Sequence, residues 1–207
     1  MISSIHYMKK DPGLNWVKEQ KTSIDSNNSL DSQSVLTPNV IQLLDGKFRM
    51  YYTGLGPGRS NKSSQGYILS AISNNGIDWQ KEIGVRLDIK SSFANDRLLS
   101  PDVIPLSDGR WRMYVEGRRK NNTAVILSAI SNDLINWKYE PGVRLSDPNW
   151  SFGSPRCIYL DNKKNNGNFF RLYFHHFSFP FCSGLQSKNH IISATSVDGL
   201  SFEIEKG

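Results

Sequence analysis

Apolar and polar residues alternate along short stretches of the chain, and turns rich in Gly, Asn and Asp separate these stretches. A period of two is typical of β-strands that bury one face. The stretch FRMYYT begins at Phe48, WRMYVE at Trp111 and FRLYFH at Phe170. The 3.6-residue period of an amphipathic helix is never sustained beyond two turns. The pattern therefore predicts an all-β fold with low helix content.

The strand patterns recur along the chain. The string LSAISN occurs from Leu69 and again from Leu127, and a related block, IISATS, begins at Ile191. Each block precedes an aromatic residue, and a weaker copy opens the chain. These aromatic positions, spaced by 63, 58 and 65 residues, are Trp16, Trp79, Trp137 and Phe202. Such self-similarity is the signature of a repeat architecture.

A second repeated block lies upstream of the last three aromatic positions. It begins at Thr37, Ser100 and Ser154, and Asp-Gly pairs in the first two copies predict a hairpin turn. Each unit thus contains four short antiparallel strands, in which the first two are called strand a and strand b below. Full units are predicted at residues 37–83, 100–141 and 154–206, and a partial unit at residues 1–20.

Four-stranded units repeated in this way predict the blades of one β-propeller domain over residues 1–207. A β-sandwich is the alternative, but sandwiches do not repeat their sequence. About three and a half blades are present, whereas a closed ring needs roughly four or more. We therefore expect that the chain is part of a longer reading frame, that it closes unusually, or that it leaves an open sheet edge.

Composition narrows the choice of partners. The chain has 207 residues, 38% of them hydrophobic, and a net charge of +6. No window approaches the roughly 18 apolar residues of a membrane span, and the first residues lack an apolar leader, so we expect a cytoplasmic protein. Lys and Arg are scattered without a long run, which argues against a nucleic-acid or membrane partner. The basic balance remains compatible with an anionic polysaccharide.

The segment SNDLINW, from Ser131, resembles the S-x-D-L-x-x-W strand ending of five-bladed furanosidase-type propellers. These are glycoside hydrolases of families 43, 32 and 68, such as arabinanases, levansucrases and invertases. RMYYTG and RMYVEG are also similar to a strand of those proteins, and the resemblance covers residues 31–207. It implies a propeller of five blades that acts on a glycosidic bond.

The resemblance implies three carboxylates around the propeller axis, two of them in an Asp-Pro start of strand a. This sequence departs from that pattern, because Thr37, Ser100 and Ser154 precede the prolines. The catalytic residues of those families therefore do not transfer to this sequence position by position.

The repeat itself selects two variable positions within its apolar frame. The first follows the proline of strand a, and the second ends strand b. Because strands a and b are antiparallel, both positions lie on one rim, where propellers bind ligands. The first position holds Asn39, Asp102 and Arg156, and the second holds Thr53, Glu116 and His175.

Asp102 and Glu116 come from the same unit, and glycosidic cleavage needs two carboxylates. Glu116 follows an aromatic run and is the predicted general acid, whereas Asp102 is the predicted base or nucleophile. Arg156 or His175 would keep Asp102 ionised. The alternatives are that Asp102 binds backbone amides and that Glu116 pairs with a neighbouring arginine. This chemistry requires no cofactor, and no metal-ligand spacing is present.

The predicted substrate is a carbohydrate, and the basic charge suggests that it is anionic, recognised by Arg118, Arg119 and Arg156. Trp150 would be a sugar-stacking platform or, alternatively, a plug between blades. The alternatives to a glycoside hydrolase are a non-catalytic carbohydrate-binding propeller and a truncated inactive relative. The predicted substrate-binding residues are Asn39, Thr53, Arg118, Trp150, Arg156 and His175.

Overall fold

The computed structural model describes residues 23–57, 65–89, 93–121, 123–160, 169–178 and 189–205. Within these ranges the protein forms twelve β-strands and no helix. The strands make three antiparallel sheets of four strands each, and every sheet keeps the order of the sequence. The predicted all-β architecture of four-stranded blades is confirmed. The partial unit predicted at residues 1–20 lies outside the described residues.

Each predicted full unit corresponds to one sheet. The first sheet contains β1 (Ser34–Gln42), β2 (Phe48–Gly56), β3 (Gln65–Ser73) and β4 (Gln80–Lys81). The second contains β5 (Arg97–Pro105), β6 (Trp111–Arg118), β7 (Ala124–Ser131) and β8 (Lys138–Tyr139). The third contains β9 (Trp150–Leu160), β10 (Phe169–Ser178), β11 (Asn189–Ser196) and β12 (Glu203–Ile204).

The first strand of each sheet begins earlier than its predicted start at Thr37, Ser100 or Ser154. The reason is a bulge at these residues, beyond which the strand resumes pairing in the N-terminal direction. In the Asp-Gly turns, Gly46 and Gly109 have φ angles of 87° and 84°. These turns therefore use glycine in the left-handed region, as the sequence predicted.

The sheets pack face to face through a repeated aromatic contact. Tyr51 of the first sheet meets Trp137 of the second edge-on, with ring centroids 5.7 Å apart. Tyr114 of the second sheet meets Phe202 of the third in the same manner at 5.9 Å. Both tyrosines are fully buried. The recurring aromatic residue that marks the repeat thus fills the space between consecutive sheets.

The first strands of the sheets, β1, β5 and β9, contact one another in turn, whereas β4, β8 and β12 contact only their own sheets. The first strands are therefore innermost and the last strands are outermost, which is the blade order of a propeller. None of the described residues form a helix long and apolar enough to cross a membrane.

Candidate active site at the inner rim

The candidate site lies on the rim where the bulge of each innermost strand faces the second strand of the same sheet. Two residues of the innermost strand, a hydroxyl residue and a proline, face a single residue of the second strand, and this mismatch forms the bulge. The hydroxyl residues Thr37, Ser100 and Ser154 have φ angles of 50°, 53° and 49°. Left-handed backbone at a non-glycine residue costs about 1–3 kcal/mol, so neighbouring contacts must hold these bulges in place.

The three hydroxyls occupy the positions that precede proline. The Oγ1 atoms of Thr37 and Thr53 lie 2.9 Å apart, and the Oγ atoms of Ser100 and Ser154 lie 3.3 Å apart. In the resembling families a carboxylate is expected at this point. The structure therefore places short hydrogen-bonded hydroxyls, rather than acids, at the bulge of each blade.

The residue predicted to end the second strand lies within it, because β2 and β6 continue to Gly56 and Arg118. Its side chain stabilises the bulge of the next sheet. The Ser100 amide donates to Thr53 Oγ1 at 3.0 Å, and the Ser154 amide donates to Glu116 Oε2 at 2.9 Å. The two bonds are equivalent by position, although one acceptor is a hydroxyl and the other a carboxylate.

The position after proline makes a second set of bonds between sheets. The Val103 amide donates to Asn39 Oδ1 at 3.1 Å, and the Cys157 amide donates to Asp102 Oδ2 at 2.6 Å. The Nδ2 group of Asn39 also donates to Asp102 Oδ1 at 3.1 Å. The two variable positions are therefore the points at which consecutive blades are joined at the axis.

Asp102 is only 6% exposed. Burial raises the pKa of its carboxyl above the ordinary value, and the Cys157 amide and the charge of Arg156 oppose that rise without cancelling it. Arg156 thus favours the ionised form of Asp102, as the sequence suggested, but burial has the larger effect on this pKa. Asp102 therefore retains a proton more readily than a solvated aspartate does.

Glu116 is 3% exposed, and both of its oxygens accept hydrogen bonds. Its Oε1 atom forms an ion pair with Arg118 Nε at 2.6 Å. The Arg118 guanidinium in turn lies over the Phe177 ring, 5.4 Å from its centroid. The long Glu116 side chain fits because the residue it faces is Gly153, whose added Cβ would lie 2.5 Å from Glu116 Oε2.

The remaining predicted binding residues lie on the same end of the third sheet. The side chain of Arg156 is exposed, and its Nη1 donates to the carbonyl of Pro155 at 2.7 Å. His175 is exposed as well. Trp150 stacks on His176 with ring centroids 4.1 Å apart, so one face of its indole is covered.

A cavity of about 250 Å³ opens at Arg118, the ion-pair partner of Glu116. Its described lining consists of Arg118, His175, Phe177, Asn189, His190 and Ile191. Asn189 and His190 were not predicted, although aligning the repeated LSAIS blocks places them opposite Ala124 and Val125, where the repeat is apolar. Among the described residues, no group of three or more His, Cys, Asp and Glu side chains is arranged to hold a metal ion.

Several solved structures share this fold. They include a complex of BT0996 with RGII (TM-score 0.67, 16% identity), in which the match covers 84% of this protein and 56% of the other. A thermostable family-43 glycoside hydrolase has a TM-score of 0.62 at 14% identity, over 84% of this protein and 58% of that hydrolase. Fructan 1-exohydrolase IIa from Cichorium intybus has a TM-score of 0.63 at 18% identity. The match covers 86% of this protein and 34% of the exohydrolase.

The sequence therefore spans little more than half the length of the first two structures. At such identities the likeness establishes the propeller fold, in agreement with the architecture inferred from the repeat. The sequence also matches, over residues 5–197, the family described as glycosyl hydrolases family 32 N-terminal domain. Because this match extends over nearly the whole sequence, the chain belongs to the glycosyl hydrolase family 32 N-terminal domain family.

Proposed function

We propose that the protein cleaves a glycosidic bond in an oligo- or polysaccharide bound at the inner rim, with Asp102 and Glu116 as the two carboxylates. The observation that supports this most is that both carboxylates are directed at the same strand of the next sheet. Both belong to the second sheet, and both accept amide hydrogen bonds from one stretch of β9, at Ser154 and Cys157. The membership in a glycoside hydrolase family agrees with this chemistry.

The electrostatics favour a division of labour opposite to the one predicted from sequence. Burial raises the pKa of Asp102, which suits this carboxyl to donate a proton to the leaving glycosidic oxygen. Glu116, in an ion pair with Arg118, is suited to activate water or to attack the anomeric carbon. Substrate would reach Asp102 by displacing the Asn39 side chain, whereas Glu116 would keep its ion pair with Arg118 and use a second lone pair of a carboxylate oxygen.

Binding without cleavage is the second candidate function, and one observation favours it. Every carboxylate oxygen of Asp102 and Glu116 already accepts a hydrogen bond. These bonds already use about half of the acceptor capacity of each carboxylate, and both groups are almost completely buried. A carbohydrate could instead bind at the exposed part of the rim, around Arg156 and His175, while the carboxylates serve only to join the blades.

Cleavage is tested by incubating the protein with a panel of oligosaccharides and quantifying new reducing ends by chromatography. We expect Glu116→Gln and Asp102→Asn to lower the rate by about 100-fold or more, as loss of a general acid or base does. Calorimetric titration and circular dichroism would check that the variants still bind sugar and remain folded. Asp108→Asn, in an exposed turn at the opposite end of the sheet, is the matched control and should leave the rate unchanged.

A wild-type protein that binds an oligosaccharide but never releases product supports the binding function instead. A cooperatively folded wild type that neither binds nor cleaves any carbohydrate overturns both functions.

We further propose that the carbohydrate is anionic. Of the three arginines suggested by the sequence, Arg119 donates Nε to the Phe93 carbonyl, and Arg156 donates to two carbonyls. Arg118 alone of the three lines the cavity. Weaker binding at higher salt would support an ionic contribution, whereas binding that is insensitive to salt would contradict it.

A further inference from the structure

The cavity at Arg118 is lined by polar and basic residues at positions where the preceding repeat unit has apolar residues. Its described lining includes Arg118 of the second sheet together with Asn189 and His190 of the third. One unit earlier in the sequence, the positions of these residues are held by Leu55, Ala124 and Val125. Ala124 and Val125 are almost completely buried in the core.

This exchange is unusual within a repeat whose frame is otherwise maintained. Apolar residues at these positions suffice to pack a blade, as Leu55 of the first sheet and Ala124 and Val125 of the second demonstrate. The polar and basic residues one unit later add no such packing, and they converge on an open cavity. Their placement is that of a ligand site built on a repeated scaffold.

Arg118 is held in position before any ligand arrives. Its Nε group is fixed by Glu116 Oε1 at 2.6 Å, and its guanidinium plane rests on Phe177. Its side chain is 25% exposed. The two terminal nitrogens form no hydrogen bond with any other residue that the structure describes, so they are available to an acceptor from outside. Two such parallel donors match the two oxygens of a carboxylate.

The other lining residues suit a sugar. His175 and His190 are exposed and can bond to hydroxyls, Asn189 offers both a donor and an acceptor, and Phe177 and Ile191 supply apolar surface. A volume of about 250 Å³ lies just below the range of roughly 300–1,000 Å³ usual for ligand pockets. The cavity therefore fits one sugar residue rather than an extended polymer.

We propose that this cavity is a subsite for a single acidic sugar residue, with Arg118 binding its carboxylate and Asn189 and His190 binding its hydroxyls. The proposal rests on the proposed carbohydrate function and assigns it a charged subsite at Arg118. Because Glu116 fixes Arg118, the subsite and the candidate catalytic carboxylate share one ion pair. An acidic sugar bound here would place the adjoining glycosidic bond next to Glu116.

The test is calorimetric titration of the protein with a trigalacturonate and with its methyl ester, which keeps the sugar backbone but removes the negative charge and adds methyl groups. We expect the ester to bind about tenfold to a hundredfold more weakly, as loss of a charge-assisted pair predicts. The third probe is a trisaccharide without carboxylates that carries one sulfate group. Equal affinity for the sulfated probe and the uronate would overturn carboxylate selectivity, because Arg118 would then be reading charge alone.

Two variants locate the effect. Arg118→Gln should abolish the preference for the uronate over the ester. Since it also leaves Glu116 without its ion pair, the second variant combines Asn189→Ala with His190→Val and copies the residues of the preceding unit. That variant keeps the Glu116–Arg118 pair and should weaken uronate binding about tenfold. Arg110→Gln, which removes a charge in the exposed turn at the other end of the sheet, should change neither affinity.

Equal binding of the uronate and its ester would overturn the charged subsite while leaving the carbohydrate function intact. A uronate preference that survives both variants would place the acidic group elsewhere and would also overturn the proposal. If neither probe, nor any neutral oligosaccharide, binds the folded wild type, both the subsite and the proposed function are wrong.

Discussion

Two junctions join the three sheets: the first lies between the first and second sheets, and the second lies between the second and third. Backbone amides at equivalent positions donate in both junctions, but the acceptors differ. In the first junction Thr53 and Asn39 are the acceptors, and both are neutral. In the second junction Glu116 and Asp102 replace them. One junction thus achieves with a hydroxyl and an amide what the other achieves with two nearly buried carboxylates.

The comparison separates what the blade junction requires from what it does not. A hydrogen-bond acceptor is required, because the amide of a bulge residue is withdrawn from water and an unpaired amide costs about 1–3 kcal/mol. The acceptor of such an amide need not be charged, because Thr53 and Asn39, which accept the amides of the first junction, are both neutral. Burying a carboxylate costs free energy unless its hydrogen bonds compensate. The charge at the second junction therefore points to a role beyond joining blades.

The largest effect is expected where the second junction is forced to resemble the first. Gly153 faces Glu116, whereas the equivalent positions of the other sheets hold Leu36 and Leu99. A Cβ atom at Gly153 would lie 2.5 Å from a Glu116 oxygen, so Gly153→Leu should destabilise the protein by about 3 kcal/mol or more. Urea denaturation measures this loss.

The compensating change is Glu116→Thr, which restores the short residue of the first junction. The double variant should recover at least half of the loss caused by Gly153→Leu alone. A double-mutant cycle quantifies the coupling. A double variant that is no more stable than the single one would show that the two junctions are not interchangeable in shape.

The next largest effect concerns the acceptors after proline. Asp102→Ala leaves the Cys157 amide and the Asn39 amide group without an acceptor and should cost about 2–3 kcal/mol. Asn39→Ala leaves only one group, the Val103 amide, without an acceptor, and should cost about 1–2 kcal/mol. Thermal and urea unfolding of both variants test the ranking. Equal losses would mean that charge adds nothing at the second junction.

A smaller effect concerns pH. Because burial raises the pKa of Asp102 above the unfolded value of 3.8, the folded state binds the proton more tightly. The resulting stability is fully present below pH 3.8 and is lost as pH rises through the folded pKa. The free energy of unfolding of wild type minus that of Asp102→Asn should therefore decrease as pH rises above 3.8. A difference that is constant, or that grows with pH, contradicts the assigned shift.

Much of the fold could be predicted because the repeat displays it three times. The block from Leu127 and its copies established the strands and their order, and variation within an otherwise constant frame identified Asp102 and Glu116 as rim positions. What could not be predicted is which group each of them contacts. The amides of Ser154 and Cys157 belong to the next sheet, so these pairings depend on how far one blade rotates against its neighbour.

The balance of forces on Asp102 was also beyond the sequence. Arg156 suggested an ionised carboxylate, but burial depends on what covers the group in three dimensions. The cavity was missed for a related reason. Asn189 and His190 belong to a strand whose register against β10 must be known before they can be placed beside Arg118.

The smallest effect on stability is expected in an exposed turn that follows the third strand of a sheet. Here the first sheet has an asparagine where the second sheet has an aspartate. In the turn after the third strand, Asn75 Oδ1 accepts the amides of Ile77 and Asp78 at 2.9 Å. In the second sheet, Asp133 Oδ1 accepts the amides of Ile135 and Asn136 at 2.9 and 2.7 Å. Asp133→Asn should therefore preserve the turn, and at pH 7 should cost less than about 1 kcal/mol, since the site is screened by solvent.

The pH dependence gives this variant its value as a control for Asp102. Hydrogen bonds from Asn136 and Ile135 hold the pKa of Asp133 well below its ordinary value. Its contribution to stability is present above the unfolded pKa of 3.8 and is lost as pH falls. Wild type should therefore lose stability relative to Asp133→Asn on acidification, opposite in sign to the Asp102→Asn comparison. The three proteins to compare are wild type, Asp102→Asn and Asp133→Asn. Urea titrations at pH 3.5, about half a unit below the ordinary aspartate pKa, and at pH 5 and 7, well above it, measure both trends. Trends of the same sign would contradict the opposite pKa shifts assigned to the buried Asp102 and the exposed Asp133.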